Sequence, residues 1–276
     1  MSQLPEPRAL VRAAALAPSH LLRVLEAELE RLEPATTRNA AAFVPRQSSG
    51  AFEVALRRDA ARGGAIIAEY KQASPSLGPF ALGTPLLPQL RAYREGGAAA
   101  FSILAEPTYF KGSAEHLRDA AELGLPRLYK GFVISEAQLD EAAAVGAEAV
   151  LLIARVLREH TTAFAEAARA RGLEPLVELH DLTEVPFAQA AGARLVGINA
   201  RDLATFTLGA PTAEPLRRAF PEALLIRESG LATVEEARQA LRAGFDAVLM
   251  GEALMRSPDP ADFLGRILAD LRPVAP

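Results

Sequence analysis

Eight short apolar runs recur along the chain, and between most of them apolar residues repeat at helical spacing. The runs are residues 65–68, 98–104, 127–129, 149–153, 175–179, 195–198, 224–226 and 247–250. A short apolar run bounded by Gly, Pro or polar residues is typical of a strand buried on both faces. Successive runs begin roughly 20 to 33 residues apart, which is the length of a strand, a helix and their connections.

Helical patterns fill five of the intervals, at residues 113–123, 136–145, 161–171, 182–191 and 234–243. Each of these segments ends in, or next to, a glycine that precedes the next run, as a helix C-terminus often does. Eight such units without an antiparallel hairpin signal predict a (β/α)8 TIM barrel. An open doubly wound sheet is the alternative, but the first strand is not followed by a glycine-rich dinucleotide fingerprint.

The chain before the first strand has a different pattern. Leucines at 21, 22, 25, 29 and 32 lie at helical spacing and Pro34 follows them, which predicts an amphipathic helix over residues 19–32. Residues 35–50 have the composition of a loop, and residues 52–61 predict a second helix. We expect residues 1–62 to be an N-terminal helical extension packed on a barrel of residues 63–276, in a single domain overall.

Composition narrows the class of protein. With 276 residues, 50% of them hydrophobic, the chain is long enough for a substantial core. A net charge of −4 offers no basic surface for nucleic acid or anionic membrane. Arg8 and Arg12 interrupt the N-terminal apolar stretch, so we expect no signal peptide, no membrane span and a cytoplasmic location. A monomer is favoured.

Cysteine and histidine content bears on metal and redox chemistry. The chain has no cysteine, which excludes disulfides and cysteine-based metal sites. Its four histidines form no ligand-spaced cluster, so we expect no metal. His180 follows the strand that bears Glu178, and we expect it to point to the opposite face.

Polar residues stand where the predicted strands end, which is where barrel enzymes carry their chemistry. They are Glu69 and Lys71, Ser102 and Glu106, Lys130, Arg155, Glu178, Asn199 and Arg201, Glu228 and Ser229, and Gly251. Residues two apart in a strand share a face, so Glu69 and Lys71 point the same way. An ion pair that only closes the barrel end is the alternative to a catalytic role.

Lysine is rare in this chain. Of its 30 Lys and Arg residues only Lys71, Lys111 and Lys130 are lysines, and the other 27 are arginines. Two of the three end predicted strands. Where Lys is kept in a chain that otherwise prefers Arg, the reaction can require an ammonium group whose pKa can be lowered until it donates a proton. The alternative is that the three lysines were retained by chance.

Small residues follow the last two predicted strands, in the segments Glu228-Ser229-Gly230 and Gly251-Glu252. Small side chains free backbone amides to face an anion at the start of a short helix. These loops therefore predict a phosphate site, although tight turns would need the same residues.

Six segments in order resemble the motifs of the indole-3-glycerol phosphate synthase family. They are Glu69-Tyr-Lys71-Gln-Ala-Ser74-Pro75-Ser76, Glu106-Pro-Thr-Tyr-Phe110-Lys-Gly112-Ser113, Lys130-Gly-Phe132, Glu178-Leu-His-Asp181, Gly197-Ile-Asn199-Ala-Arg201-Asp202-Leu203 and Glu228-Ser229-Gly230. The resemblance implies a cofactor-independent carboxy-lyase of tryptophan biosynthesis with a small phosphorylated substrate. Such an enzyme converts 1-(2-carboxyphenylamino)-1-deoxyribulose 5-phosphate to indole-3-glycerol phosphate, carbon dioxide and water.

The resemblance also implies roles for individual residues. The catalytic group would be Lys130 as acid, Glu178 as base, Lys71 as second acid or electrostatic partner, Glu69 holding the lysines, and Asn199. Substrate contacts would come from Ser74, Pro75, Phe110, Phe132, Arg201, Leu203 and Glu228, of which Phe110, Phe132 and Pro75 form an apolar wall and Arg201 suits a carboxylate. The phosphate would bind at Lys71, Ser229, Gly230, Gly251 and Glu252.

The sequence departs from the family pattern at three positions. Gly131 stands where Asp usually follows the lysine, Leu77 where Lys is common, and Ala200 where Asn or Ser is frequent. Two other functions stay open at this point: another phosphosugar barrel enzyme, such as an isomerase or an aldolase that forms a Schiff base on Lys130, and a non-catalytic barrel that serves as a binding subunit.

Overall fold

The computed structural model describes residues 4–14, 20–32, 48–75, 77–199, 212–269 and 271. Its strands are β1 (Ala65–Tyr70), β2 (Ala73–Ser74), β3 (Gly78–Pro79), β4 (Ala100–Leu104), β5 (Arg127–Lys130), β6 (Ala149–Ile153), β7 (Glu174–Leu179), β8 (Leu195–Asn199), β9 (Leu224–Glu228) and β10 (Ala247–Met250). All except β2 and β3 form a closed parallel barrel in the order β1-β10-β9-β8-β7-β6-β5-β4. The predicted (β/α)8 barrel is therefore confirmed, and each of the eight apolar runs is one of its strands.

Helices cover the outside of the barrel. They are α1 (Pro7–Ala14), α2 (His20–Leu32), α3 (Ala51–Ala60), α4 (Leu86–Glu95), α5 (Glu115–Asp119), α6 (Glu136–Ala144), α7 (Ala154–Leu157), α8 (Thr161–Ala170), α9 (Val185–Ala190), α10 (Ala213–Ala219), α11 (Val234–Arg242), α12 (Glu252–Arg256) and α13 (Pro260–Ala269). Short 3-10 turns at Ala120–Leu123 and Leu182–Glu184 replace parts of two predicted helices.

Among the elements that were not predicted, helix α4 and the strands β2 and β3 lie between β1 and β4. Helix α4 follows Pro85 and contains Pro88, and two prolines this close are usually a sign of a loop. Proline is tolerated in the first turn of a helix, however, where amides lack helical partners. The short antiparallel pair of β2 and β3 supplies the hairpin that the sequence gave no sign of.

Glycines end five of the helical units where the sequence predicted they would. Gly124, Gly146, Gly172, Gly192 and Gly244 all have a positive φ, between 59° and 99°. Only glycine adopts this conformation without a steric cost, so each can turn the chain from a helix into the next strand.

The N-terminal helices share the core of the barrel. Leu10 and Val11 of α1 and Leu21 and Leu25 of α2 are buried in the same apolar cluster as the barrel interior. The apolar faces of α1 and α2 are therefore packed within this cluster, although the division into residues 1–62 and 63–276 stays a prediction. Within the described ranges, no helix has the length and apolar character that crossing a bilayer requires.

The amino-terminal end of the barrel is closed by a polar contact. Helix α3 begins after Gly50, which has no side chain to cap it. The carboxylate of Glu174, at the start of β7, accepts the amides of Phe52 at 2.9 Å and Glu53 at 2.8 Å instead. A carboxylate at a helix N-terminus satisfies free amides and complements the helix dipole, so Glu174 fixes α3 across the barrel bottom.

Candidate active site

Strand register brings the polar strand ends to one level at the carboxyl end of the barrel. Glu69 of β1 lies beside Ser102 of β4, and Asn199 of β8 lies beside Glu228 of β9. Glu178 of β7 lies beside Gly197. Because the strands are parallel, all these side chains meet at a single opening.

A cavity of about 600 Å³ occupies this opening. This size is ordinary for a small-molecule site. Its lining includes thirteen of the sequence-predicted site residues, namely Glu69, Lys71, Ser74, Pro75, Phe110, Lys130, Phe132, Glu178, Asn199, Ser229, Gly230, Gly251 and Glu252. Arg201, Leu203 and Ser76 lie outside the described residues. Glu228 is fully buried beneath the cavity instead of lining it.

One acid–base cluster is centred on Glu69. Its Oε1 lies 2.8 Å from Nζ of Lys71, and its Oε2 accepts the hydroxyl of Ser102 at 3.1 Å. Burial alone would raise the pKa of Glu69, but the charges of Lys71 and Lys130 outweigh burial and hold that pKa below its usual value. Glu69 is thus a carboxylate that holds Lys71 directly and acts on Lys130 only through space.

A second cluster is centred on Lys130. Its Nζ lies 3.3 Å from Oε2 of Glu178 and also donates a short hydrogen bond to Oε2 of Glu228. Burial would lower the pKa of Lys130, but the charges of Glu228 and Glu178 outweigh burial and raise it. The idea of a lysine with a lowered pKa is therefore wrong for Lys130 in these surroundings, where the ammonium form is stabilised.

The two carboxyls beside Lys130 differ in pKa. Burial would raise the pKa of Glu178, but Lys130 outweighs burial and keeps it below its usual value. Burial raises the pKa of Glu228 to about 8, even though Lys130 opposes the shift. Glu178 is therefore a carboxylate that can take a proton, whereas Glu228 loses its proton only near pH 8, and above that pH its charge helps to hold the proton on Lys130.

His180 lies closer to this cluster than its position in the sequence predicts. Its Nε2 is 3.5 Å from Oε1 of Glu178, and its side chain is buried. The expectation of an opposite face was wrong because residues two apart in a strand share a face. Across the described ranges, no group of acidic or histidine side chains is arranged to hold a metal.

The aromatic side of the cavity is formed by Phe110 and Phe132. Their ring centroids lie 5.7 Å apart with the planes tilted by 33°. The loop that carries Phe110 is shaped by Glu106, whose buried carboxylate accepts three successive amides, those of Thr108, Tyr109 and Phe110. Glu106 was among the polar residues expected at the strand ends, and its carboxylate contacts the loop that carries Phe110.

Helix α2 supplies another side of the cavity. His20, Leu21 and Val24 are part of the lining. These residues were not predicted, because helical periodicity shows that a helix has an apolar face but not where that face docks.

The loops after β9 and β10 have unusual backbone geometry. Ser229 and Gly230 have φ values of 60° and 71°, so two successive residues are left-handed. For the non-glycine Ser229 this is strained, and strain of this kind clusters at functional sites. At Gly251 an ideal Cβ would lie 2.6 Å from Oε1 of Glu69, so a larger residue there would displace the Glu69 carboxylate.

The departure from the family pattern at Gly131 has a local cause. An ideal Cβ at this position would lie 2.6 Å from the Cε1 atom of the Tyr129 ring. The Tyr129 hydroxyl donates to Oε2 of Glu141 at 2.5 Å, which keeps the ring in place. The Tyr129 ring in this position therefore requires glycine at 131.

Comparisons with known proteins agree with this geometry. The family model described as indole-3-glycerol phosphate synthase matches residues 21–267. A protein of that name from Listeria monocytogenes is 45% identical over 199 residues, which cover 71% of this chain and 78% of that protein. Another, from Desulfosudis oleivorans, is 39% identical over 251 residues, covering 90% of this chain and 92% of its own.

A solved structure also shares the fold. Thiamine phosphate pyrophosphorylase from Pyrococcus furiosus superposes with a TM-score of 0.52 at 18% identity, over 77% of this chain and 98% of that one. At this level of identity the similarity concerns the barrel architecture alone.

Proposed function

The chain belongs to the indole-3-glycerol phosphate synthase family of tryptophan biosynthesis, and from that premise we propose that it is a carboxy-lyase. Its substrate would be 1-(2-carboxyphenylamino)-1-deoxyribulose 5-phosphate. The observation that carries this proposal is the position of Lys130, held between two buried carboxyls at the edge of a cavity with an aromatic wall.

Ring closure comes first. The ring carbon that bears the carboxylate attacks the ketone carbon, a carbon–carbon bond forms, and the carbonyl electron pair moves to oxygen. Lys130 donates a proton to that oxygen, which becomes a hydroxyl. The raised pKa of Lys130 keeps it charged at neutral pH, and a developing alkoxide is basic enough to take the proton.

Loss of carbon dioxide and of water completes the indole. The bond to the carboxylate breaks, and its electron pair returns to the ring system as neutral carbon dioxide leaves. Lys71 then donates a proton to the hydroxyl, which departs as water, and Glu178 takes the remaining proton from carbon. That proton can return to Lys130 across the 3.3 Å contact with Glu178. The second lysine proton comes from solvent, which balances the loss of the carboxylate charge.

Binding residues follow from the lining of the cavity. We assign the anthranilate ring to the side formed by Pro75, Phe110 and Phe132, and the phosphate to the side formed by the backbone at 229–230 and 251–252 together with Lys71. Ser74 and Asn199 offer polar contacts between these ends. Contacts from Arg201 and Leu203 stay predictions from the sequence.

The Schiff-base alternative has less support. An aldolase of that kind needs a neutral amine on Lys130, whereas Glu228 and Glu178 raise the pKa of that lysine. Proton donation suits the ammonium form better than nucleophilic attack does.

Indole fluorescence on mixing the purified protein with the substrate tests the reaction. We expect turnover by the parent and a loss of about 10²-fold or more in kcat for Lys130→Ala and for Glu178→Gln. Lys111→Ala is the matched control, because Lys111 is exposed and lies outside the cavity lining. No indole product from a folded parent that binds the substrate would refute the synthase assignment.

A further inference from the structure

Deepening the proposed function, on which this inference rests, we propose that Gln138 is a positioning residue that joins helix α2 to the loop carrying Phe132. Gln138 lies on α6 and is only 1% exposed. It lies outside the cavity lining, so its effect on the reaction must pass through the residues it holds.

The amide group of Gln138 spans the segment between β5 and α6. Its Oε1 accepts the amide of Ile134 at 2.8 Å, and its Nε2 donates to the carbonyl of Phe132 at 3.0 Å. An oxygen that faces a donor and a nitrogen that faces an acceptor define one orientation of the side chain. Both ends of the three-residue segment 132–134 are therefore tied to a single side chain.

The same nitrogen reaches the N-terminal helix. Nε2 of Gln138 also donates to Oε2 of Glu28, on α2, at 2.8 Å. Glu28 is 2% exposed, and Arg31 of the same helix donates to its Oε2 at 2.9 Å. A buried carboxylate is stable only when hydrogen-bond donors satisfy it. Moving α2 away from Gln138 would leave Glu28 without one of its donors, so this contact holds α2 in place.

A second link runs parallel to the first. Arg31 donates through Nη1 to Oε1 of Glu141 at 3.3 Å, and the hydroxyl of Tyr129 donates to Oε2 of the same carboxylate. Tyr129 lies in β5 next to Lys130, and its ring fills the space under Gly131. Helix α2 is thus connected to the residues before Phe132 as well as to those after it.

Together these contacts join helix α2 and the loop after β5 into one side of the cavity. His20, Leu21 and Val24 of α2 face the cavity, as do Lys130 and Phe132 of the barrel. Gly131 has no side chain with which to anchor this loop. If α2 separates from Gln138, Phe132 loses its support on the aryl side of the cavity, while Lys130 stays in its strand.

A double-mutant cycle between the two elements tests the inference. The variants are Glu28→Ala, Gln138→Ala and their combination, with Glu30→Ala on the exposed face of α2 and Glu136→Ala on α6 as matched controls. We expect each single variant to raise KM about tenfold and to change kcat less than about threefold. The KM of the double variant should be no higher than that of the more impaired single variant, because both changes break the same link.

Hydrogen exchange of the segment 132–134 provides a readout that does not depend on the reaction. Exchange should be about tenfold faster or more in Glu28→Ala, although Glu28 is linked to this segment only through Gln138, 110 residues away in sequence. Unchanged exchange in Glu28→Ala, or additive effects of the two substitutions on KM, would overturn the coupling. A fall in thermal stability with KM unchanged would show a merely structural role and would also overturn it. A parent without turnover would refute the proposed function, while exchange would still decide the coupling.

Discussion

Oε1 of Glu228 lies where the side chain of any larger residue at position 197 would begin. An ideal Cβ built on Gly197 would be 2.0 Å from this atom, closer than two such atoms can approach. Gly197 also lies beside Glu178 in the register of β7 and β8. Glu178 and Glu228, the two carboxyls that flank Lys130, therefore both lie next to Gly197.

Gly197→Ala should push Glu228 away from Lys130 and lower kcat/KM about 10²-fold, since small displacements of catalytic groups have large effects. Steady-state kinetics with indole fluorescence measures the loss. Gly265→Ala is the matched control, because a Cβ there meets no atom within 4 Å. In helix α13 that change should stabilise the protein by about 0.5–1 kcal/mol. Equal activity of the two variants would contradict the packing argument.

Stability should depend on pH through Glu228. Its folded-state pKa, about 8, lies above the usual 4.5, so its contribution is full below pH 4.5 and is lost as the pH rises through 8. The free energy of unfolding of the parent relative to Glu228→Gln should therefore fall between pH 5.5 and 8.5. Urea unfolding at several pH values measures this difference.

Asp181 provides the control for that pH dependence. Burial would raise its pKa, but hydrogen bonds from Thr183 and the charge of Arg155 outweigh burial and lower it, so its contribution is lost only as the pH falls through the lowered value. The difference between the parent and Asp181→Asn should stay level between pH 5.5 and 8.5. A difference that rises with pH for Glu228→Gln would show that the sign of its pKa shift is wrong.

Removing the cap of α3 should affect stability without affecting catalysis. Glu174→Ala leaves the amides of Phe52 and Glu53 without acceptors at the end of the barrel remote from the site, which should cost about 1–3 kcal/mol. Denaturant unfolding measures the loss, and kcat should be unchanged. Glu214→Ala, which breaks an exposed ion pair with Arg218, should cost less than about 1 kcal/mol. Equal costs in the two variants would argue against the cap.

Glu106→Gln should disturb the aromatic wall. An amide nitrogen would replace one of the two oxygens that accept the amides of Thr108, Tyr109 and Phe110, and two donors would then face each other. We expect KM to rise about tenfold, since a hydrogen bond to a charged group contributes about 1.5–3 kcal/mol. Glu115→Gln, on an exposed ion pair with Arg118, should leave KM unchanged. An unaltered KM in Glu106→Gln would mean that the loop holds its shape without the carboxylate.

Much of the barrel could be predicted because its determinants are local. Apolar runs and helix-ending glycines depend on neighbouring residues, and strand ends then bring Lys130 and Glu178 to one opening wherever the strands lie in the sequence. Helix α4 was not predicted, because prolines occur both in loops and in the first turn of a helix.

Contacts between distant residues could not be predicted in the same way. Glu28 is a charged residue in an amphipathic helix, and sequence alone assigns such a residue to the solvated face. Its burial depends on Gln138, which is 110 residues away. The pKa of Lys130 likewise depends on carboxyls from three other strands, Glu69 of β1, Glu178 of β7 and Glu228 of β9, and their distances follow from packing.

The close fit between Tyr129 and Gly131 bears on how this chain and its relatives can exchange residues. An Asp at 131, which the family pattern favours, would collide with the Tyr129 ring, and that ring is held by Glu141. A side chain at 131 therefore requires the Tyr129 ring to move or to be replaced. Substitutions at these two positions are coupled, so introducing Asp at 131 requires a smaller residue at 129 in the same variant.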